Sequence, residues 1–213
     1  ESRQGVLARF LLGQIMGLSA GVALGGFAAD GASWQWPFAV LAAWFVAIGL
    51  LIGRAGWRQP AGAQAPGGNA VANLLEVLRT PGVARILVTV FLEGLVLLGP
   101  LAFVATHLHL VRGAPMSLAG TMFFAVSAGG FIFAFFARRI AEVLGEARLA
   151  ILGTVIVSAS VAGIAWAPTL AAAPFSCFGA GMGFYMLHNT LQTNATQMAP
   201  TRRGTAVALF AGI

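Results

Sequence analysis

The chain has 213 residues, of which 59% are hydrophobic and 8% charged, and its mean hydropathy is +0.88. About 25% of the residues of a soluble domain are charged, so a water-solvated globule is excluded and lipid must solvate much of this surface. The +6 net charge rests on 12 arginines and no lysine, without a basic run interleaved with aromatics, which excludes a nucleic-acid-binding stretch, and the lone Cys177 excludes an intrachain disulfide or a cysteine metal cluster.

A bilayer core of about 30 Å needs roughly 20 apolar residues in a helix. Six stretches meet or approach that, near 5–29, 36–53, 83–106, 116–137, 149–167 and 170–196, and a seventh begins in Gly204–Ile213. Strand-length alternation of apolar and polar residues is absent from the sequence, so helices rather than a barrel are expected. The chain does not start with Met and stops in an apolar stretch, so a fragment cut at both ends is expected.

The first span carries Gly13, Gly17, Gly21 and Gly25 at a spacing of four, followed by Gly26. Glycines on one helix face let another backbone approach, and van der Waals packing drives association in lipid. A matching stripe is Ser117, Thr121, Ala125 and Gly129 in the fourth span. Either the two form a plain packing seam, or they form a gate between two bundles. Gln14 joins the polar candidates of this span, Arg9 is placed to snorkel to the interface, and Asp30 ends the span as an interfacial residue.

Residues 54–81 form the one long linker. Its Gly/Pro/Ala-rich start reads as flexible, and Val71, Leu74, Leu75 and Leu78 then recur at helical spacing up to Pro81. A short amphipathic helix on the membrane surface is expected there. The linker divides the chain into the end of one bundle (1–53) and a second bundle (82–213).

Glu93 lies near the middle of the third span. An ionised carboxylate at the bilayer centre costs about 2.5–3.5 kcal/mol on insertion scales, so it should face the bundle interior or a water-filled cavity. Such a group can couple protons, or it can stay protonated and make one structural hydrogen bond. In the sixth span His188, Gln192 and Thr196 recur every four residues beside Asn189, Thr193 and Asn194. Polar groups in lipid need partners, so this strip should point inward as a substrate-facing or gating surface, or as interhelical hydrogen bonding. His107 and His109, two apart, do not share a helix face and do not suggest a metal site.

The loops alternate in charge. Glu1–Gln4, 54–81, 138–148 and 200–203, with Arg9 and Arg85 near their span ends, hold 11 of the 12 arginines, and the opposite loops hold only Arg112. The positive-inside rule places the first set in the cytoplasm. A faint repeat matches Arg3-x-Gly5 and Gly13 to Arg202-x-Gly204 and Gly212 at an offset of 199 residues, about the length of a six-helix bundle.

Gly17-x-x-x-Gly21-Val22-x-x-Gly25-Gly26 resembles the fifth-helix motif of drug:proton antiporters of the major facilitator superfamily, with Val22 where that pattern has Pro and Ala8 where it has an earlier Gly. Trp34-x-Trp36-Pro37-Phe38 is similar to the family's start of helix six. Arg138-Arg139 with Gly145-x-x-Arg148 resembles the second copy of its cytoplasmic loop motif, without the Asp. Gly183-Phe184-Tyr185 through His188 and Gln192 to Ala199-Pro200-x-Arg202-Arg203-Gly204 resembles its tenth helix and following loop. The resemblance implies helices five to ten and part of eleven, with helices one to four and twelve, missing from this chain, as partners. It further implies an all-α fold of two six-helix bundles in a bacterial inner membrane, working by alternating access.

No nucleotide loop, nucleophile elbow or metal-ligand cluster appears in the sequence, so neither an enzyme nor a cofactor or metal is expected and an ion gradient is left as the energy source. The first expectation is proton-coupled efflux of small, largely apolar compounds such as drugs. The alternatives are a proton symporter importing a metabolite, and a non-transporting membrane scaffold or receptor.

Overall fold

The computed structural model describes residues 3–31, 33–55, 69–166 and 169–212, and among these every element is helical. In chain order they are α1 (Arg3–Gly31), α2 (Trp36–Ala55), α3 (Ala70–Arg79), α4 (Val83–Glu93), a π-helical turn (Gly94–Leu98), α5 (Gly99–Arg112), α6 (Met116–Thr121), α7 (Phe123–Leu144), α8 (Glu146–Trp166), α9 (Ala173–Gln197) and α10 (Arg203–Gly212), with 3₁₀ turns before the last two. Five stretches are long and apolar enough to cross a membrane: Trp36–Arg54, Val83–Arg112, Met116–Leu144, Glu146–Trp166 and Leu170–Gln197. They coincide with five of the six expected spans. The sixth is α1, whose apolar stretch among the described residues is Ile15–Gly31. Large apolar side chains point outward, Trp166 at 80% and Phe175 at 81% exposure, which a lipid surround tolerates.

Lipid tails are as apolar as leucine, so the helices are held by close backbone approach and polar contacts rather than by water exclusion. α8 and α9 meet through facing glycines: a Cβ on Gly153 would come 2.7 Å from the Gly183 carbonyl oxygen, and one on Gly183 would come 2.6 Å from that of Gly153. α7 meets α9 through Gly129 against the Phe178 carbonyl and Gly181 against that of Val126. The interior between α5, α6, α7 and α9 is filled by Leu101, Val104, Leu108, Phe123 and Cys177. No described residue of α2 is buried.

The glycine seam expected along α1 is displaced. A Cβ built at Gly13, Gly17, Gly21 or Gly25 meets nothing within 4 Å. The buried face is instead Ile15, Ser19, Ala23 and Gly26, two positions round the helix from the glycine row. The reason is polar: a hydroxyl in lipid needs a partner, and glycine has none to offer. The hydroxyls of Ser19 and Ser127 bond each other. The carbonyl of Phe123 lies 3.2 Å from Ser19 Oγ, and that of Ile15 lies 3.3 Å from Ser127 Oγ. Of the motif only Gly26 is in the contact, pressed on the Met116 carbonyl, while Gly120 meets the Val22 carbonyl at a would-be Cβ distance of 2.7 Å. The expected partner stripe shifts likewise, since Gly129 packs on α9 while Ser117 meets α1 at Gly26.

α3 begins where Asn69 accepts a hydrogen bond from the Val71 backbone N–H at 3.0 Å, and ends at Thr80 before Pro81. Val77 and Asn73 turn inward, Val77 onto Val83, Leu87, Ala199 and Ala206, while Val71, Leu75 and Leu78 stay exposed on the face turned away from that packed surface. The Arg202 Nε donates to Glu76 Oε2 at 3.1 Å, tying α3 to the turn before α10.

Candidate functional site

The helical ladder changes pitch at Glu93. Pro100 has no N–H to give the Val96 carbonyl, and its ring crowds that carbonyl, so the preceding turn widens. The result is the π turn Gly94–Leu98, directly after Glu93. It carries the buried row Val83, Leu87, Val90 and Glu93 on into Leu97, Leu101, Val104 and Leu108 without a break. Glu93 is thereby held inside, 8% exposed, against α9.

Its partner there is His188. The Glu93 Oε2 lies 3.0 Å from His188 Nδ1, across 95 residues of sequence. The other oxygen, Oε1, is buried and has no hydrogen-bond partner. A buried acceptor without a partner costs about 1–3 kcal/mol, so the one bond to His188 carries the whole polar satisfaction of the carboxyl. The ring is fixed between Phe184, with centroids 5.0 Å apart, and Phe210, at 5.4 Å.

The far side of that ring is open. His188, Tyr185, Asn189 and Gln192 of α9 line a cavity of about 730 Å³, closed by Phe131 to Ala137 of α7 and by Ile15 of α1. Its wall is aromatic and aliphatic with a few polar atoms on the α9 side, the make-up of a small-molecule site. On its own side Glu93 borders a second cavity of about 250 Å³ with Thr89, Thr154 and Ser158. The Glu93–His188 pair stands between the two.

The remaining expected residues distribute unevenly. Glu93, His188, Asn189 and Gln192 come together. Thr196 does not: it is exposed one residue from the end of α9, outside the cavity lining, and its hydroxyl donates to the Thr193 carbonyl at 2.7 Å. Packing there runs through Ala195, the next position round the helix, which is buried. The side chains of Gln14 and Arg9 lie outside the described residues. Arg138 pairs with Glu142 of its own helix at 2.8 Å, Gly145 ends α7 with φ at 71°, and Arg139, Arg148 and Arg203 are exposed. Sequence reasoning missed Ile15, the α7 wall and the Ser19–Ser127 bond. Those two serines, each inside an apolar span, were the available signal.

Two backbone N–H groups at the start of α6 bond Asp30 of α1: Met116 N to Oδ1 at 3.0 Å and Ser117 N to Oδ2 at 2.7 Å.

The family model of the Major Facilitator Superfamily matches residues 1–213, the whole of the chain, and the chain belongs to that family. It is an integral membrane protein whose class of work is transport of a small molecule. No curated protein and no solved structure matches it.

Proposed function

We propose that this member of the major facilitator superfamily exports small, largely apolar compounds by alternating access, driven by protons that enter and leave through the Glu93–His188 pair. One observation carries the reading. A single ring, His188, bonds a buried carboxyl with one nitrogen and lines the 730 Å³ cavity with its other face. A guest in that cavity changes the water around the imidazole, and desolvation shifts which protonation state is favoured. Guest and proton are thus linked, and linkage is reciprocal: whatever the guest does to proton affinity, the proton does to guest affinity.

The aromatic wall of α7 favours apolar substrates, and no described arginine lines the cavity to hold an anion. The Arg-rich ends of the helices are assigned to the cytoplasm of a bacterial cell, by the positive-inside rule. The test is transport by the full chain in proteoliposomes with an imposed pH gradient. Glu93→Gln keeps shape and removes the titration. It should abolish gradient-driven accumulation of a hydrophobic dye while leaving dye binding within about threefold. Unchanged gradient-driven transport by Glu93→Gln would remove Glu93 from the coupling.

A further inference from the structure

Resting on the alternating-access reading, we propose that Asp30 is a latch that holds one end of the transporter shut, by capping a helix of the opposite bundle. α1 precedes the 54–81 segment and α6 follows it, so the contact joins two parts of the chain that sit on either side of the linker. A carboxylate in the last turn of a helix is unfavourable for that helix, because its carbonyls concentrate negative charge there. Asp30 is one residue from the end of α1. The first N–H groups of the Met116–Leu144 span lack intrahelical partners, and Pro115 before them supplies none. Each end is mismatched alone, and the clip of Met116 N and Ser117 N onto both Asp30 oxygens resolves both mismatches at once.

The contact between α1 and α6–α7 is graded away from this point. At the Asp30 end, Gly26 presses on Met116 and Gly120 on Val22. Midway, the Ser19 and Ser127 hydroxyls bond. Beyond them the Ile15 carbonyl still reaches Ser127 Oγ at 3.3 Å, and from Ile15 the cavity opens along the α7 wall. The clip thus sits at the end of the seam away from the cavity. While the clip holds, the cavity faces the Arg-rich end. Opening at the Asp30 end must break it, and Asp30 sets how often that happens.

The experiment reads accessibility and needs no substrate. In a Cys177→Ser background of the full chain, Ser127→Cys reports the seam under the latch and Ala134→Cys reports the cavity wall. Both are labelled with a membrane-impermeant maleimide, each from its own side. Asp30→Ala should raise the labelling rate of the Ser127→Cys reporter about fivefold and lower that of Ala134→Cys, a shift between two states rather than a loosening of one. Asp30→Asn, whose amide oxygen can accept only one of the two N–H groups, should fall between, and guards against a poorly folded alanine variant. Equal rates with and without Asp30, or both reporters speeding up together, would overturn the latch. A chain that shows the opposed shift yet moves no dye keeps the latch and overturns proton-driven export.

Discussion

Replacing His188 with leucine should cost the protein about 3 kcal/mol of stability, nearly all of it through Glu93. The substitution takes away the one hydrogen-bond partner of Oε2, when Oε1 already has none. Removing one member of a buried charged pair costs about 3–5 kcal/mol. The lower end applies because water reaches the His188 side of the pair, which is 28% exposed against 4% for Glu93. The reverse change, Glu93→Leu, leaves only a half-exposed imidazole nitrogen without a partner, a loss of about 1 kcal/mol. The double leucine variant has no stranded polar group and fits an apolar surround of Phe184 and Phe210, so it should lie within about 1 kcal/mol of the parent. The two sites are therefore coupled by about 3 kcal/mol. For a chain of this size about 1 kcal/mol moves Tm by 2–4 °C, so His188→Leu should melt about 6–12 °C lower, with recovery in the double variant. Thermal unfolding of detergent-solubilised protein, followed by tryptophan fluorescence, measures all three. If the losses simply add, with coupling below about 0.5 kcal/mol, Glu93 and His188 are not partners and the site has been misread.

The α1 contact face gives a contrast between two glycines of one motif. Gly26→Ala drives a methyl into the Met116 carbonyl and should destabilise by about 1–3 kcal/mol, whereas Gly17→Ala, which meets nothing within 4 Å, should be neutral or stabilise slightly; equal losses in a melting assay would return the seam to the glycine row. Ser127→Val leaves the buried Ser19 hydroxyl only the Phe123 carbonyl and should cost about 1 kcal/mol, while Ser19→Ala with Ser127→Ala recovers part of it, as read from chemical unfolding in micelles. Arg202→Ala breaks a pair whose Glu76 side chain is 53% exposed, so its effect on Tm should be near the limit of detection, from 0 to about 1 kcal/mol.

Much of the fold was legible because lipid imposes a simple rule: about 20 apolar residues per crossing, and backbone groups satisfied within the helix. That rule located every long helix here. It also singled out Glu93 and His188 separately, since each is a polar group in an apolar run. It could not pair them. Ninety-five residues lie between, and pairing depends on how α4 and α9 rotate against each other, which the π turn before Pro100 decides. The glycine row shows the opposite failure. Small residues at a spacing of four announce that a backbone could approach, but not that one does. Ser19 and Ser127 settled the rotation of α1 through a bond that no spacing announces.

The placement of polar contacts along α1 bears on how a proton could be carried. Glu93 is ten residues into its span from the Arg-rich end, a rise of about 15 Å at 1.5 Å per residue. Its partner ring lines the large cavity, while Asp30, Gly26 and Gly120 pack at the other end of the seam. On the proposed reading the pair exchanges protons with one side at a time. Net movement of a proton then requires the Asp30 clip to break while the Glu93–His188 bond persists, so the two bonds must differ in how readily they open. They do differ in kind: the clip lies at an exposed helix end where water can replace either partner, whereas in the pair Glu93 is only 4% exposed and water reaches the His188 side alone. A transporter working as proposed loses its grip at the tip before it loses its proton.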